Sequence, residues 1–103
     1  MIRGRLHDAS SAPSHGERVE EVLQLRTLAV RQILSGGLDG PVDYRQDEDE
    51  WVVVLAGAAV LEVDGERVDL AGGDWVLLPA GTPHRLVHTE PGTNWLTVHL
   101  ARG

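Results

Sequence analysis

The sequence predicts an all-β domain, built as an antiparallel barrel or a double-sheet sandwich. Short runs rich in Val, Leu and Ile recur along the chain, each set off by Gly, Pro or Asp. The dipeptide Asp64-Gly65 sits between two such runs, as a tight hairpin turn with two positive-φ residues requires. The run from Trp51 to Leu55 is apolar at every position, which describes a strand covered on both faces.

Taken in order, residues 1–13 are small and polar, include Pro13 and show no period, so they are expected to be irregular. His7 and His15 lie in or beside this segment and read as exposed side chains without a task. Ser14 followed three residues later by Glu17 has the form of a capping box, and Val19, Val22 and Leu23 make a helical apolar stripe. One short N-terminal helix is therefore expected over 14–24. Strands follow: RTLAVRQIL at 26–34, ended by Gly36, Gly37, Gly40 and Pro41, then WVVVLAG and AAVLEVDGERVDLAGG. DWVLLP, HRLVHT and NWLTVHL complete the set. No repeat or second domain interrupts it, so 14–103 reads as a single domain that includes the helix.

Composition narrows the function. At 103 residues the chain is long enough to bury somewhat over ~60% of its unfolded surface in one core. It has no cysteine, hence no disulfide, thiol nucleophile or cysteine metal site. Sixteen acids face nine arginines and no lysine, and the net charge of −7 repels phosphate backbones and anionic membrane surfaces. No apolar run approaches the roughly 20 residues of a membrane-spanning helix, and the N-terminal stretch has no apolar core of a secretory signal, so a cytoplasmic location is expected. The outward face of the Trp51–Leu55 strand needs a cover. A homodimer with the N-terminal helix contributing is the expected one, with Trp51 and Trp75 as packing residues.

The charged positions are few enough to weigh singly. On one strand His84 and His88 would share a face, but four residues at about 3.3 Å each separate their Cα atoms by ~13 Å, too far for one ion held at about 2.0 to 2.1 Å from each nitrogen. His88 reads as a rim or satisfied interior histidine. In DYRQDEDEW, Asp47, Glu48 and Asp49 read as a solvated acidic loop. Glu50 differs, because alternation puts it on one face with Val52, Val54 and Ala56, opposite Trp51, Val53 and Leu55. Tyr44 and Gln46 share a face by the same alternation. A carboxylate beside a phenol and an amide at the end of a barrel strand looks like a site.

These residues form a recognisable pattern. GDWVLLPAGTPHRLVH resembles the second cupin motif, with Gly73, Pro79, Gly81 and His84 at its spacing and His88 where an asparagine is usual. The first motif resembles the family's in Glu50 and Gly57, with six residues between them, while Tyr44 and Gln46 replace its histidine-x-histidine. The resemblance covers about residues 26–100 and implies a jelly-roll barrel, the cupin double-stranded β-helix. In that family the two histidines, the glutamate and the second-motif histidine hold a divalent metal. The resemblance therefore implies one divalent transition metal (Fe, Mn, Ni or Zn) held by His84 and Glu50 with Gln46. His99 is a compensating ligand if Trp95, Thr97 and His99 face the cavity, and the opposite register would bury Leu96, Val98 and Leu100 instead. A neutral amide and a phenol with a pKa near 10 are weak replacements for imidazole.

Three functions follow as expectations. The first is a small-molecule-binding protein whose degenerate pocket, lined by Tyr44, Gln46, Glu50, His84 and His99, retains some capacity for a divalent metal. The second is a metal-dependent enzyme of dioxygenase, isomerase or lyase type on a small organic substrate. The third is a metal-free acid/base catalyst with Glu50 or His84 as base and Tyr44 as donor.

Overall fold

A computed structural model describes residues 1–101; the last two positions of the domain expected to reach 103 lie outside them. Nine strands follow a 3-10 turn at Ala9–Ser11: β1 (Glu17–Leu25), β2 (Leu28–Ser35), β3 (Val42–Tyr44), β4 (Asp49–Ala56), β5 (Ala58–Val63), β6 (Glu66–Ala71), β7 (Trp75–Leu78), β8 (His84–Thr89) and β9 (Thr93–Leu100). They form two antiparallel sheets, ordered β1-β2-β9-β4-β7 and β3-β8-β5-β6. This is the all-β double-sheet architecture that the punctuated runs predict, in the jelly-roll form that the resemblance implies.

The N-terminal helix expected over 14–24 is not formed; its residues make β1. Val22 has no partner in the β1–β2 ladder, where Glu21 faces Arg31 and Leu23 faces Val30. This one-residue bulge lets Val19 point inward and Leu23 outward, so a stripe with helical spacing is satisfied by a strand. The residues of the apparent capping box make backbone bonds instead: Gly16 N–H to Gly37 O, Gly36 N–H to Gly16 O, and Gly37 N–H to Ser14 O. A helix of eleven residues is marginal alone, whereas pairing with β2 gives the same residues a full ladder. The missing helix also removes one expected cover of the outer face. Residues around His7 do cross that sheet, where His7 N–H donates to Gln32 Oε1 and Gln32 Nε2 donates to His7 O.

Elsewhere alternation decides which side chains meet. Val52, Val54, Ala59, Leu61, Leu70, Leu78, Leu86 and Trp95 form the buried cluster between the sheets. Each large aliphatic side chain fully buried there contributes roughly 1.5–3 kcal/mol. The β5–β6 hairpin turns at Asp64 (φ 49°) and Gly65 (φ 80°), both positive as the Asp-Gly pair predicts. The short β3 was not expected as a strand; Asp43 and Tyr44 hold it against Arg85 and His84 of β8.

Gly57 joins β4 to β5 at φ 95°, and a Cβ there would meet Thr93 Oγ1 at 2.5 Å and Thr93 Cα at 2.8 Å. Backbone strain and steric contact thus coincide at one position. Gly57→Ala is expected to lower stability by about 1–3 kcal/mol, read as a fall in the urea midpoint at unchanged slope; an unchanged midpoint would contradict the requirement.

Candidate functional site

The inward positions of three strands and the loop before β4 bring Glu50, His84, His99 and Gln46 together. Glu50 is the second residue of β4 and pairs with His99 of β9 on one side and Leu78 of β7 on the other. Directly paired residues share a face, so His99 is turned inward with Glu50. Trp95 and Thr97 share that face, which resolves the register left open in sequence. His84 opens β8 in the facing sheet, beside Tyr44 of β3.

The turn at 79–83 sets the remaining member. Gly81 N–H donates to Gln46 O at 2.8 Å, and Ala80 N–H donates to Asp49 Oδ1 at 2.8 Å. The loop before β4 is thereby fastened at two points. Asp49, expected in a solvated loop, has this structural task. Gln46 Nε2 then donates to Glu50 Oε1 at 2.7 Å.

Glu50 is the hub. It is 7% exposed, its Oε1 stands 3.8 Å from His84 Nε2, and its Oε2 stands 3.2 Å from His99 Nε2. His84 Nδ1 lies 3.1 Å from the carbonyl oxygen of Thr82, which can only accept, so Nδ1 carries the proton. In the neutral ring, Nε2 therefore turns a lone pair into the cavity. His99 Nε2 also contacts Thr97 Oγ1 at 3.1 Å. The buried Nδ1 of His99 has no hydrogen-bond partner and stands 3.5 Å from Glu48 Oε1. Glu48 is thus a second residue of the expected acidic loop that reaches the site.

Tyr44 lies at the more exposed side. Its ring stacks on His84 with centroids 5.5 Å apart and planes 15° from parallel. Its hydroxyl donates to Glu17 Oε1 at 3.1 Å, Ser35 Oγ donates to Glu17 Oε2 at 3.0 Å, and Trp95 Nε1 donates to Ser35 Oγ at 2.9 Å. This chain of bonds links β9, β2 and β1 to β3 in the facing sheet. Sequence reasoning missed Glu17 because it was read as a helix-capping residue. His88 is placed apart from all of these. Val87 has no partner in the β5–β8 ladder, where Val60 faces His88 and Leu61 faces Leu86. That bulge turns His88 to the exposed outer side, so His84 and His88 do not share a face.

Together these residues line a cavity of about 210 Å³ whose walls include Ile33, Val52, Leu61, Leu78, Leu86 and Trp95. Arg31 lines it too, a residue that no local pattern singles out. Trp51 and Trp75 lie outside the lining and touch each other, with ring centroids 6.1 Å apart.

The donor set was tested against a metal. Among the described residues, no three His, Cys, Asp or Glu side chains stand ready to close around an ion. The reason is local: the Glu50 carboxylate is already engaged by the Gln46 amide and the His99 imidazole, and the two imidazoles approach different oxygens. Among the described residues, the ring nitrogens of this cluster without a hydrogen bond are Nε2 of His84 and Nδ1 of His99, the latter 3.5 Å from Glu48 Oε1. As arranged, the cluster fits a hydrogen-bonded polar centre and does not fit a metal cage.

A double-sheet barrel with motif residues Glu50 and His84 converging in its lumen defines the class. The chain belongs to the cupin domain family, whose profile it matches over residues 30–99. It is 44% identical over 54 residues to quercetin 2,3-dioxygenase of Bacillus subtilis (strain 168), a match covering 50% of this chain and 16% of that protein. The chain therefore corresponds to a small part of that relative's length. A candidate mannose-6-phosphate isomerase of Ralstonia eutropha JMP134 is similar over 96% of this chain and 100% of its own, with 30% identity and a TM-score of 0.81. A cupin superfamily protein of Desulfitobacterium hafniense DCB-2 shares the fold at a TM-score of 0.79 and 20% identity, over 99% of this chain and 95% of its own.

Burial and the nearby Glu17 and Glu50 carboxylates push the Tyr44 phenol from its ordinary 10.0 up to about 12. The folded protein favours the neutral phenol, so this contribution to stability is complete below about pH 10 and is lost as pH climbs toward 12. Tyr44 is the chain's only tyrosine. Its phenolate difference spectrum is expected to appear only near pH 12, and at lower pH in Glu17→Gln; ionisation near 10 in the folded wild type would refute the assignment.

Proposed function

We propose that the barrel interior is a binding site for a small polar organic molecule, with Glu50 and His84 as its principal ligand contacts. One observation carries the reading: Gln46, His84 and His99 meet at Glu50 inside a cavity whose walls include Ile33, Val52, Leu61, Leu78, Leu86 and Trp95. Such a pocket, apolar with a few convergent polar groups, is the usual form of a small-molecule site. His84 Nε2 can accept a hydrogen bond or a proton from the ligand, while Gln46 and His99 hold Glu50 in place. The same arrangement supports acid/base chemistry with His84 as base. Tyr44, held neutral and bonded to Glu17, shapes the more exposed side through its stacking on His84.

A metal-dependent reading has one specific support, the family and the dioxygenase named among its relatives. It would require Glu50 to release His99 or Gln46 before an ion could be gripped. The cavity is also below the ~300–1,000 Å³ of drug-sized ligand pockets, which favours a ligand smaller than a flavonol.

Elemental analysis and a small-fragment screen on tag-free protein separate these readings. The expected result is substoichiometric metal, with polar fragments bound and their affinity reduced roughly tenfold to a hundredfold in Glu50→Gln and in His84→Ala. Near-stoichiometric metal that disappears in His84→Ala would transfer the site to the metal-dependent reading, and no fragment binding at all would remove the pocket reading.

We also propose that the protein is a homodimer through the outer face of the five-stranded sheet. There Trp51, Val53, Trp75, Leu77, Leu96 and Val98 lie on three adjacent strands with no charged side chain among them. Trp75 and Leu77 remain 59% and 58% exposed. A patch depleted of charge on a chain of net charge −7 is where two copies can approach, and a two-fold axis covers both patches at once. Light scattering on the wild type is expected to give a dimer mass and on Trp75→Glu/Leu77→Glu a monomer mass; a monomeric wild type would end this proposal.

A further inference from the structure

The cavity contains a cation that the fold does not use. Arg31 lies on the inward face of β2, opposite Thr97 of β9 and Glu21 of β1, and lines the same cavity as Glu50 and His84. Arg18, Arg67 and Arg85 each hold a carboxylate, but among the described residues Arg31 has no carboxylate within ion-pair distance and no side-chain hydrogen bond. The carboxylates nearest to it in the strand pairing do not claim it. Glu21 is exposed on the edge strand, and Glu17 accepts from Tyr44 and Ser35. A half-buried guanidinium left with its donors free inside a cavity is an anion site in waiting.

Ladder spacing sets the reach. Arg31 lies two strands and two residues from Glu50 through Thr97 and Val52, roughly 12 Å between Cα positions. Both side chains extend into that gap. Val52 and Thr97 lie between them in the ladder, and Trp95 and Ile33 form an apolar wall one row farther along the strands. The cavity thus has a cationic pole, an apolar flank at Trp95, Ile33 and Val52, and an acceptor-rich pole at Glu50 and His84.

Resting on the pocket reading above, we infer that the ligand is a small amphiphilic monocarboxylate. Its carboxylate is gripped by Arg31, its apolar body lies against Trp95, and a distal hydroxyl donates to the Glu50–His84 pole. The planar fork of arginine matches a carboxylate through two parallel hydrogen bonds. A phosphate monoester suits the site less well, because Arg31 is the only arginine in the lining among the described residues and the Glu17 and Glu50 carboxylates repel a second negative charge.

The test uses para-hydroxyphenylacetate, its uncharged amide and para-hydroxyphenyl phosphate as probes, with binding read by calorimetry. Wild-type protein is expected to bind the acid roughly tenfold to a hundredfold more tightly than the amide. Arg31→Gln should weaken acid binding far more than amide binding, so that the preference disappears, and Arg31→Lys should restore part of it. Glu50→Gln should weaken acid and amide alike, which marks the pocket reading separately. Equal binding of acid and amide, unchanged acid binding in Arg31→Gln, or tighter binding of the phosphate would overturn the inference and leave the pocket standing. Failure of every probe would overturn the monocarboxylate assignment, while the fragment screen decides the pocket itself. The acid–amide comparison on the wild type holds even if a variant does not fold.

Discussion

The structure turns on one buried carboxylate. A charged group taken from water without partners is costly enough that proteins neutralise it or surround it. Glu50 is surrounded, by the Gln46 amide, the His99 imidazole and, slightly farther, the His84 imidazole. These come from the loop before β4, from β9 and from β8, so satisfying one carboxylate requires correct pairing in both sheets. Removing a partner leaves the charge exposed to an apolar cavity, which makes the cluster a check on the fold as well as a site. Its geometry cannot vary much while the surrounding ladders hold.

The devices that place those partners are ordinary β-sheet physics. Alternation fixes the faces of β4 and β9, so that Glu50 and His99 enter the lumen while Trp51 and Val98 leave it. The turn at 79–83 does more than aim His84. Its backbone holds Gln46 and Asp49, and this ties the loop before β4 to the start of β8. Two single-residue bulges complete the arrangement, at Val22 and Val87. One admits Val19 to the cavity and the other excludes His88 from it.

These details explain what could be read from sequence. The two-faced apolar strand, the Asp-Gly turn and the evenly spaced runs are local signals, and each became the predicted β element. Gln46, Glu50 and His84 were legible because motif spacing and strand alternation agreed on them. His99 stayed open because β9 alternates between two sets of comparable character, and only pairing with Glu50 decides between them. β1 misled because its bulge reproduces helical spacing and Ser14 with Glu17 imitates a cap. Glu17 and Arg31 were invisible for a related reason: each enters the cavity only through pairing of the first two strands with the rest of the sheet. Long-range contact, absent from any local window, determined both.

The polar groups of the lumen divide into those that hold the fold and those that remain available. Glu17, Ser35 and Tyr44 saturate one another and join the two sheets at the more exposed side of the cavity. Gln46 Nε2 and one edge of Glu50 saturate each other within it. Among the described residues, what remains is the Nε2 lone pair of His84, the guanidinium of Arg31 and the Nδ1 of His99, a buried atom without a hydrogen-bond partner. Groups needed only for stability would be expected to find partners among the abundant donors and acceptors nearby. These groups stand around one cavity, where the proposed ligand-binding role would engage them.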